Sequence, residues 1–229
     1  MSVVFPEGNY IFCWGGLIMN AGGMTRAMLK RACTLIRAGR DVTILCAARS
    51  MEQLNGVEHY QQNGYPEISR KNFVIREAWE GERLSDNRTH HEVGILARSD
   101  TLCVELTNKG KVYWQDGVEL AREIPSQTPG KREIRYTSPA GESVAEVYWE
   151  DSLSRIITDY VGDKGTKHRR ERYFAPNGFC HTAFESVWTN NTWNITSIRS
   201  FDETAHTVEE FKDYSPFRQR FFSSYVNEC

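Results

Sequence analysis

The chain has 229 residues, of which 40% are hydrophobic and 12% aromatic, so it can bury a packed core and is not a disordered protein. Its 28 basic and 30 acidic residues nearly balance, which excludes the strongly basic class of nucleic-acid-binding proteins. No run of about 18 apolar residues occurs, and no basic segment precedes an apolar one at the N-terminus, so the sequence predicts neither a membrane-spanning helix nor a secretory signal.

Residues 9–47 have the pattern of a βαβ unit. The apolar run at 10–14 predicts a buried strand, and a glycine-rich loop then leads into residues with helical spacing. The apolar stripe expected to face the core consists of Met24, Ala27, Met28, Ala32, Leu35 and Ile36. Gly39 is placed to end this helix, and the apolar run at 42–47 predicts a second, parallel strand. Two parallel strands cannot form a covered sheet alone, so we expect further strands beside them.

Residues 50–92 have a weaker pattern. Residues 73–79 are predicted to form a strand or a short helix. The dipeptides Asn55-Gly56 and Asn63-Gly64 predict turns.

Residues 93–201 have the pattern of an all-β segment. Strands are expected at 102–106, 112–114, 118–120, 133–136, 144–149, 155–160, 168–174, 182–188 and 194–201. Their spacing near ten residues, with turn dipeptides such as Asp116-Gly117, predicts an antiparallel meander. From 202 to 229, the spacing of Val208, Phe211 and Tyr214 predicts a return to helix. The chain then stops without a terminal loop, which indicates a cut and not a natural end.

The six cysteines bear on the redox compartment. None lies in a CxxC pair, and no spacing between them is typical of a zinc site. Cys13, Cys33 and Cys46 lie in apolar segments, where a reduced thiol packs like a small hydrophobic side chain. We therefore expect reduced core cysteines and a cytoplasmic protein, with no metal site and no cofactor.

The loop that contains Gly22 and Gly23 is the strongest candidate for chemistry. It passes from a strand to a helix N-terminus, whose unpaired N–H groups and partial positive charge suit a phosphate. Thr25 and Arg26 add a hydroxyl and a guanidinium there, so these four residues are candidates for binding the phosphates of a nucleotide or nucleotide-sugar. The alternative is a tight turn that needs glycine for geometry alone. The loop matches neither the GxGxxG fingerprint nor a P-loop.

A basic strand is the second candidate. It contains Lys167, Arg169, Arg170 and Arg172, and it could contact an anionic polymer such as a phosphate-rich acceptor. The alternative is a solvated or edge strand whose charges prevent aggregation. The tryptophans and tyrosines of the predicted meander could stack on sugars, but at strand spacing they are also typical of cross-strand packing.

The sequence names no catalytic residue. No Ser-His-Asp, Cys-His or paired-carboxylate arrangement is recognisable by spacing, although such groups meet in space and not in sequence. His90, His91 and Glu92, close to Asp86, lack further ligands on one face, so we interpret them as part of a polar loop.

Two stretches resemble a known enzyme family. The run NAGGMTRAMLKRA at 20–32, followed by AGRDVTIL at 38–45, resembles the start of a GT-B glycosyltransferase. It is most similar to the bacterial poly(glycerol-phosphate) α-glucosyltransferase group, which includes glycosyltransferases of wall teichoic acid and of accessory secretion systems. The run SRIITDY at 154–160, with ERYF at 171–174 and Asn177-Gly178, resembles the antiparallel sheet that this group inserts in its N-terminal domain.

The resemblance implies an α+β fold. It divides the chain into a partial Rossmann-like βαβ unit of a GT-B N-terminal domain at 1–92, an inserted antiparallel β-meander at 93–201, and a helical return at 202–229. In this family the glycine-rich loop approaches the diphosphate of the donor, which maps onto Gly22 and Gly23. The family's nucleotide-binding C-terminal domain is not recognisable here, so the resemblance implies the first half of an enzyme, inactive alone.

The activity implied by the resemblance is the retaining transfer of a sugar from a UDP-sugar to a polymer or protein acceptor. The inserted sheet implies a role in homo-oligomerisation or in positioning the acceptor. The alternative function is a non-catalytic β-sheet interaction or oligomerisation module that shares only the architecture.

Overall fold

The computed structural model describes residues 5–17, 22–47, 53–76, 79, 94–175, 177–202 and 206–228. The chain is α+β and divides into two compact units, Met1–Trp79 with Arg218–Cys229, and Glu80–Phe217. Within the described ranges, no helix is both long and apolar enough to cross a membrane.

The first unit contains a short parallel sheet. Its strands are β1 (Asn9–Trp14), β2 (Asp41–Cys46) and β3 (Phe73–Ile75), with β2 in the centre and both pairings parallel. Helix α1 (Gly23–Arg37) connects β1 to β2, and α2 (Gln53–Gln62) follows β2. The predicted βαβ unit is therefore confirmed, and β3 supplies the further strand that was expected. The predicted burial of the first strand is wrong, because the residues of β1 are half-buried or exposed.

The buried face of α1 differs from the predicted stripe. Met24 is 80% exposed, and Ala27 is exposed as well. The buried residues of the helix are Thr25, Met28, Leu29, Ala32, Cys33 and Leu35. Positions 25, 28–29 and 32–33 succeed one another on one side of a helix, so Leu29 and Cys33 take the core positions predicted for Met24 and Ala27.

The turn predicted at Asn55-Gly56 is wrong, because both residues lie inside α2. Gly56 is buried, and a Cβ atom built on it would lie 2.7 Å from the carbonyl oxygen of Leu17. Glycine at this position therefore allows two backbone segments to approach closely, and it does not form a turn. The second predicted turn is confirmed, with Gly64 at a φ of +108°.

The second unit is built on a long antiparallel sheet. Its ten strands lie side by side in chain order, so the predicted meander is confirmed. The strands are β4 (Cys103–Thr107), β5 (Gly110–Gln115), β6 (Val118–Ile124), β7 (Lys131–Thr137), β8 (Ser143–Trp149), β9 (Ser152–Val161), β10 (Lys167–Phe174), β11 (Cys180–Thr189), β12 (Thr192–Phe201) and β13 (Thr207–Phe211).

Strand β13 corrects the helix predicted from residue 202 onward. It pairs with β12 in antiparallel register, from Ile198 opposite Phe211 to Phe201 opposite Thr207. The three-residue spacing of apolar residues suggested a helix, but β12 offers a free row of backbone groups to the β-branched residues of this segment. Helix α3 (Tyr214–Glu228) begins only after this strand. From Arg218 onward this helix belongs to the first unit, where Phe221 joins Leu45 in an apolar cluster.

The long sheet buries opposite faces at its two ends. Ile134, Val144 and Ile156 belong to one apolar cluster. Ile156 is paired with Arg172, so Tyr173, the next residue of β10, lies on the other face. There it packs with Phe184, Ile198 and Phe217 in a second cluster, and no single face of the long sheet forms its core.

A buried carboxylate connects the segment before β4 to the long sheet. Glu146 on β8 is 3% exposed, and it accepts hydrogen bonds from the hydroxyls of Tyr148 (2.5 Å) and Tyr136 (2.9 Å) and from the N–H of Ile95 (2.8 Å). Burial, and then the carboxylate beside it, raises the pKa of Tyr148. A Cβ atom on Gly94 would lie 2.0 Å from the Tyr148 hydroxyl oxygen, so only glycine fits at the end of this contact.

The cysteines are divided between the core and the surface. The five described ones, at 13, 33, 46, 103 and 180, form no disulfide with one another. Cys33 and Cys46 are buried as predicted, and burial raises the pKa of Cys33 to about 11 and that of Cys46 to about 12. Cys13 is exposed, so its predicted place in the core is wrong. It lies on β1, which has β2 as its one partner within the described part of the chain.

We expect a thiol reagent such as DTNB, used near pH 8, to modify Cys103 and to leave Cys33 and Cys46 unmodified in the native protein. Cys103 is exposed on β4, whereas the two buried thiols are shielded and carry almost no thiolate at that pH. Peptide mass spectrometry after labelling identifies the modified residues, and unfolding in denaturant provides the fully labelled control. Equal labelling rates for Cys46 and Cys103 would contradict the packing of the short sheet.

Candidate functional site

The candidate donor site lies at the carboxyl end of the short parallel sheet. Strand β1 ends at Trp14, and α1 begins at Gly23, after the intervening loop. The N–H of Ala47 donates to the carbonyl oxygen of Trp14 at 3.0 Å, so the ends of β1 and β2 are held together. Ligands of open α/β sheets bind outside the carboxyl ends of the strands, where helix N-termini also lie.

The glycine corner at this edge is open. Gly22 and Gly23 are exposed, and a Cβ atom built on either residue meets nothing within 4 Å. Gly22 is the N-cap of α1, no side-chain hydrogen bond caps the helix in the described part of the chain, and its first turn contains no acidic residue. The first amide groups of α1 can therefore receive an anion directly.

The other two predicted residues of the donor site differ in their surroundings. Arg26 is exposed on the first turn of α1, on the same helix end as the glycines. Thr25 is only 7% exposed and belongs to the buried face of the helix. The structure thus brings Gly22, Gly23 and Arg26 together at the surface, and a hydroxyl contact from Thr25 to phosphate stays a prediction.

Two further arginines lie near this edge of the short sheet. Arg76 directly follows β3 and is completely buried. The Nη1 atom of Arg218, on α3, lies 3.6 Å from a Cβ atom built on Gly15, directly after β1. The position of Arg76 after an apolar run could have indicated it, whereas Arg218 is about 200 residues away in sequence and no local pattern connects it to β1.

The basic strand is an interior strand whose charges are largely paired. Strand β10 lies between β9 and β11, so the interpretation as an edge strand is wrong. Arg169 donates two hydrogen bonds of 2.7 Å to the carboxylate of Asp159, and Arg170 donates one of 2.6 Å to Glu185. Lys167 is exposed at the start of the strand.

Arg172 lies beside an aromatic side chain. It is half-buried, and its guanidinium carbon lies 5.7 Å from the ring centroid of Phe174. The four residues therefore do not form a continuous cationic surface. His90, His91 and Glu92 lie outside the described residues.

Known proteins resemble this chain in structure and not in sequence. No protein-family model and no curated protein sequence matches it. The crystal structure of TarM superposes with a TM-score of 0.64 and 13% identity, over 98% of this chain and 43% of that one. A variant of TarM from S. aureus, in complex with fondaparinux, α-GlcNAc-glycerol and UDP, gives a TM-score of 0.63 and 12% identity, over 96% of this chain and 43% of that one.

A third solved structure gives a similar result. Accessory secretory proteins 1, 2 and 3 of Streptococcus pneumoniae give a TM-score of 0.58 and 11% identity, over 96% of this chain and 45% of that one. The chain spans less than half the length of each of these proteins, and at such identity the likeness concerns the fold. The resemblance predicted from the sequence is confirmed at that level: the chain has the α+β fold of one part of TarM and of the accessory secretory proteins.

Proposed function

We propose that this chain is the N-terminal, acceptor-side region of a retaining glycosyltransferase that moves a sugar from a UDP-sugar to a polymer or protein acceptor. The observation that carries the proposal is the open corner at Gly22 and Gly23, at the carboxyl end of parallel strands. Bare amides at a helix N-terminus suit the diphosphate of such a donor. The complex of a TarM variant with UDP supports the choice of nucleotide.

The short sheet supports the idea that more of the enzyme surrounds this unit. Among the described strands of this sheet β1 is at an edge, although a Rossmann-like sheet continues beyond its first strand. Beside it, a cleft of about 470 Å³ is lined by apolar side chains of β1 and α1, among them Tyr10, Phe12 and Leu35. We propose that further strands and a helix cover this cleft in the complete enzyme, that a second domain binds the nucleotide, and that the chain is inactive alone.

The acceptor side of the proposal concerns β10. Lys167 is exposed and is the best placed of the four predicted residues to contact an acceptor. An anionic acceptor would have to compete with Asp159 for Arg169 and with Glu185 for Arg170. Arg172 stays a candidate for the same role. The buried free thiols of Cys33 and Cys46 support the further proposal of a cytoplasmic enzyme.

The test is release of UDP by this chain alone and by a longer protein that also contains the nucleotide-binding domain. UDP-glucose and UDP-N-acetylglucosamine serve as donors, with a poly(glycerol-phosphate) polymer or a serine-rich protein as acceptor. We expect acceptor-dependent UDP release from the longer protein and none from the chain alone. No release with any donor and acceptor pair would contradict the transferase proposal.

A second candidate function, an oligomerisation module, is favoured by the edge strand β4. Among the described strands, β4 pairs with β5 alone, and it exposes Val104 (46%) and Leu106 (78%). An exposed edge with apolar side chains is suited to pairing with another strand, and a second copy of the chain offers the same edge.

We expect the chain to form a homo-oligomer and Leu106→Lys to reduce it to a monomer, because a charged side chain opposes pairing between edges. Size-exclusion chromatography with light scattering measures the mass. Val208→Lys, at the exposed site on the opposite edge strand β13, is the matched control and should leave the oligomer intact. A monomeric parent chain would contradict this function.

A further inference from the structure

A cleft of about 470 Å³ opens at one end of the long sheet. The turns at 138–142, 162–166 and 189–192 all lie at this end, because they connect alternate pairs of strands in the meander. Small-molecule sites in proteins typically measure about 300–1,000 Å³ and combine aromatic walls with a few polar groups. The cleft has both components, and the strands that carry them form a rigid frame.

Two tryptophans form one wall of the cleft. Trp188 and Trp193 are paired directly across β11 and β12, with ring centroids 5.2 Å apart and planes inclined at 64°. The guanidinium carbon of Arg169 lies 4.4 Å from the centroid of the Trp193 ring and holds this ring in place. Trp188 is 38% exposed, so the cleft presents a broad apolar ring surface to solvent.

A second aromatic pair lies at the same end of the sheet but on its other face. Tyr160 and His168 are stacked, with centroids 5.2 Å apart and planes inclined at 14°. They are paired across β9 and β10 directly beside the pair of Asp159 and Arg169, so their side chains lie on the face opposite to that of Asp159 and Trp188. The tryptophan wall is therefore the aromatic surface on the face that also carries Asp159 and Lys167.

The polar groups of the cleft are a carboxylate, an ammonium and a hydroxyl. They belong to Asp159, Lys167 and Ser143. Asp159 keeps 38% of its side chain exposed while it accepts both hydrogen bonds from Arg169. Because Asp159 neutralises Arg169, Lys167 contributes most of the net charge of the cleft, which is therefore small.

We propose that this cleft binds a pyranose residue of a neutral oligosaccharide. A pyranose has one apolar face of C–H groups, which stacks on the indole of Trp188, and a rim of hydroxyls, which hydrogen-bond with Asp159 and Lys167. A nucleotide would add at least one phosphate, for which the cleft offers a single lysine. The inference rests on the proposed function, because it identifies the pyranose bound in this cleft as a sugar of the acceptor.

The test is titration of the chain with maltotriose and with triacetylchitotriose, followed by tryptophan fluorescence and calorimetry. We expect at least one trisaccharide to bind, and Trp188→Ala to raise its Kd by about tenfold or more. Trp114→Ala is the matched control, since Trp114 lies on β5 outside the cleft and should leave Kd unchanged. Lys167→Met changes only an exposed side chain, and it should raise Kd about threefold without affecting the fold.

Three outcomes would overturn the proposal. The first is that neither trisaccharide binds at millimolar concentration. The second is that Trp188→Ala and Trp114→Ala weaken trisaccharide binding equally. The third is that uridine monophosphate binds while neither sugar does, and that Trp188→Ala abolishes this binding. Circular dichroism of each variant shows whether the sheet is intact. UDP release by the longer protein is a separate measurement, so failure of the sugar site and failure of the transferase proposal are distinguishable.

Discussion

Replacing Gly23 by phenylalanine is expected to lower sugar transfer by the complete enzyme by about 100-fold or more, because the side chain would cover the amides that receive the donor phosphates. The same change should alter the free energy of unfolding of the chain by less than about 1 kcal/mol. A Cβ atom at this position meets nothing within 4 Å, so the fold tolerates the added ring. UDP release and chemical denaturation measure the two quantities.

The matched control for this substitution is Ala38→Phe. Ala38 is exposed and caps the other end of α1. Its replacement by phenylalanine therefore adds a similar ring to the same helix, far from the proposed phosphate site. We expect normal UDP release from this variant. If Gly23→Phe transferred sugar at the parent rate, the glycine corner would be a simple turn and the donor site would lie elsewhere.

Glu146→Ala is expected to lower the free energy of unfolding of the second unit by about 3–5 kcal/mol. The change removes the acceptor for the hydroxyls of Tyr136 and Tyr148 and for the N–H of Ile95, and it leaves a cavity in their place. Urea denaturation followed by tryptophan fluorescence measures the effect.

Two other substitutions show how much of this loss comes from the buried carboxylate. Glu146→Gln retains a carbonyl oxygen but gains two N–H donors, so we expect a loss between that of alanine and zero. Glu105→Ala removes an exposed carboxylate that accepts a bond from the Trp114 side chain, and it should cost less than about 0.5 kcal/mol. Similar losses for Glu146→Ala and Glu105→Ala would show that the buried carboxylate does not secure the segment around Ile95.

Much of the long sheet could be predicted because its strands and turns are determined by residues that are close together in the sequence. The turn at Asp116-Gly117 has positive φ at both residues, which is the geometry that this dipeptide favours between two strands. The βαβ unit could also be predicted, since the spacing of apolar residues changes from that of a strand to that of a helix within a few residues. The position of Gly22 and Gly23 directly before the helix follows from the same change of period.

The features that could not be predicted depend on distant partners. Strand β13 forms because β12 offers an edge, and the side chains of its five residues do not reveal this. Gly56 is a close-approach glycine only because Leu17 lies against it. The charges of β10 suggested a cationic surface, but Asp159 and Glu185 come from neighbouring strands and neutralise much of it.

The order of the strands in the long sheet has a consequence for folding. Every strand from β4 to β13 pairs only with its neighbours along the chain, so each new pairing closes a short loop and has a small entropic cost. Low contact order of this kind favours rapid, sequential assembly from any hairpin. It also allows strands to be gained or lost two at a time, as one hairpin, without rethreading the remaining strands.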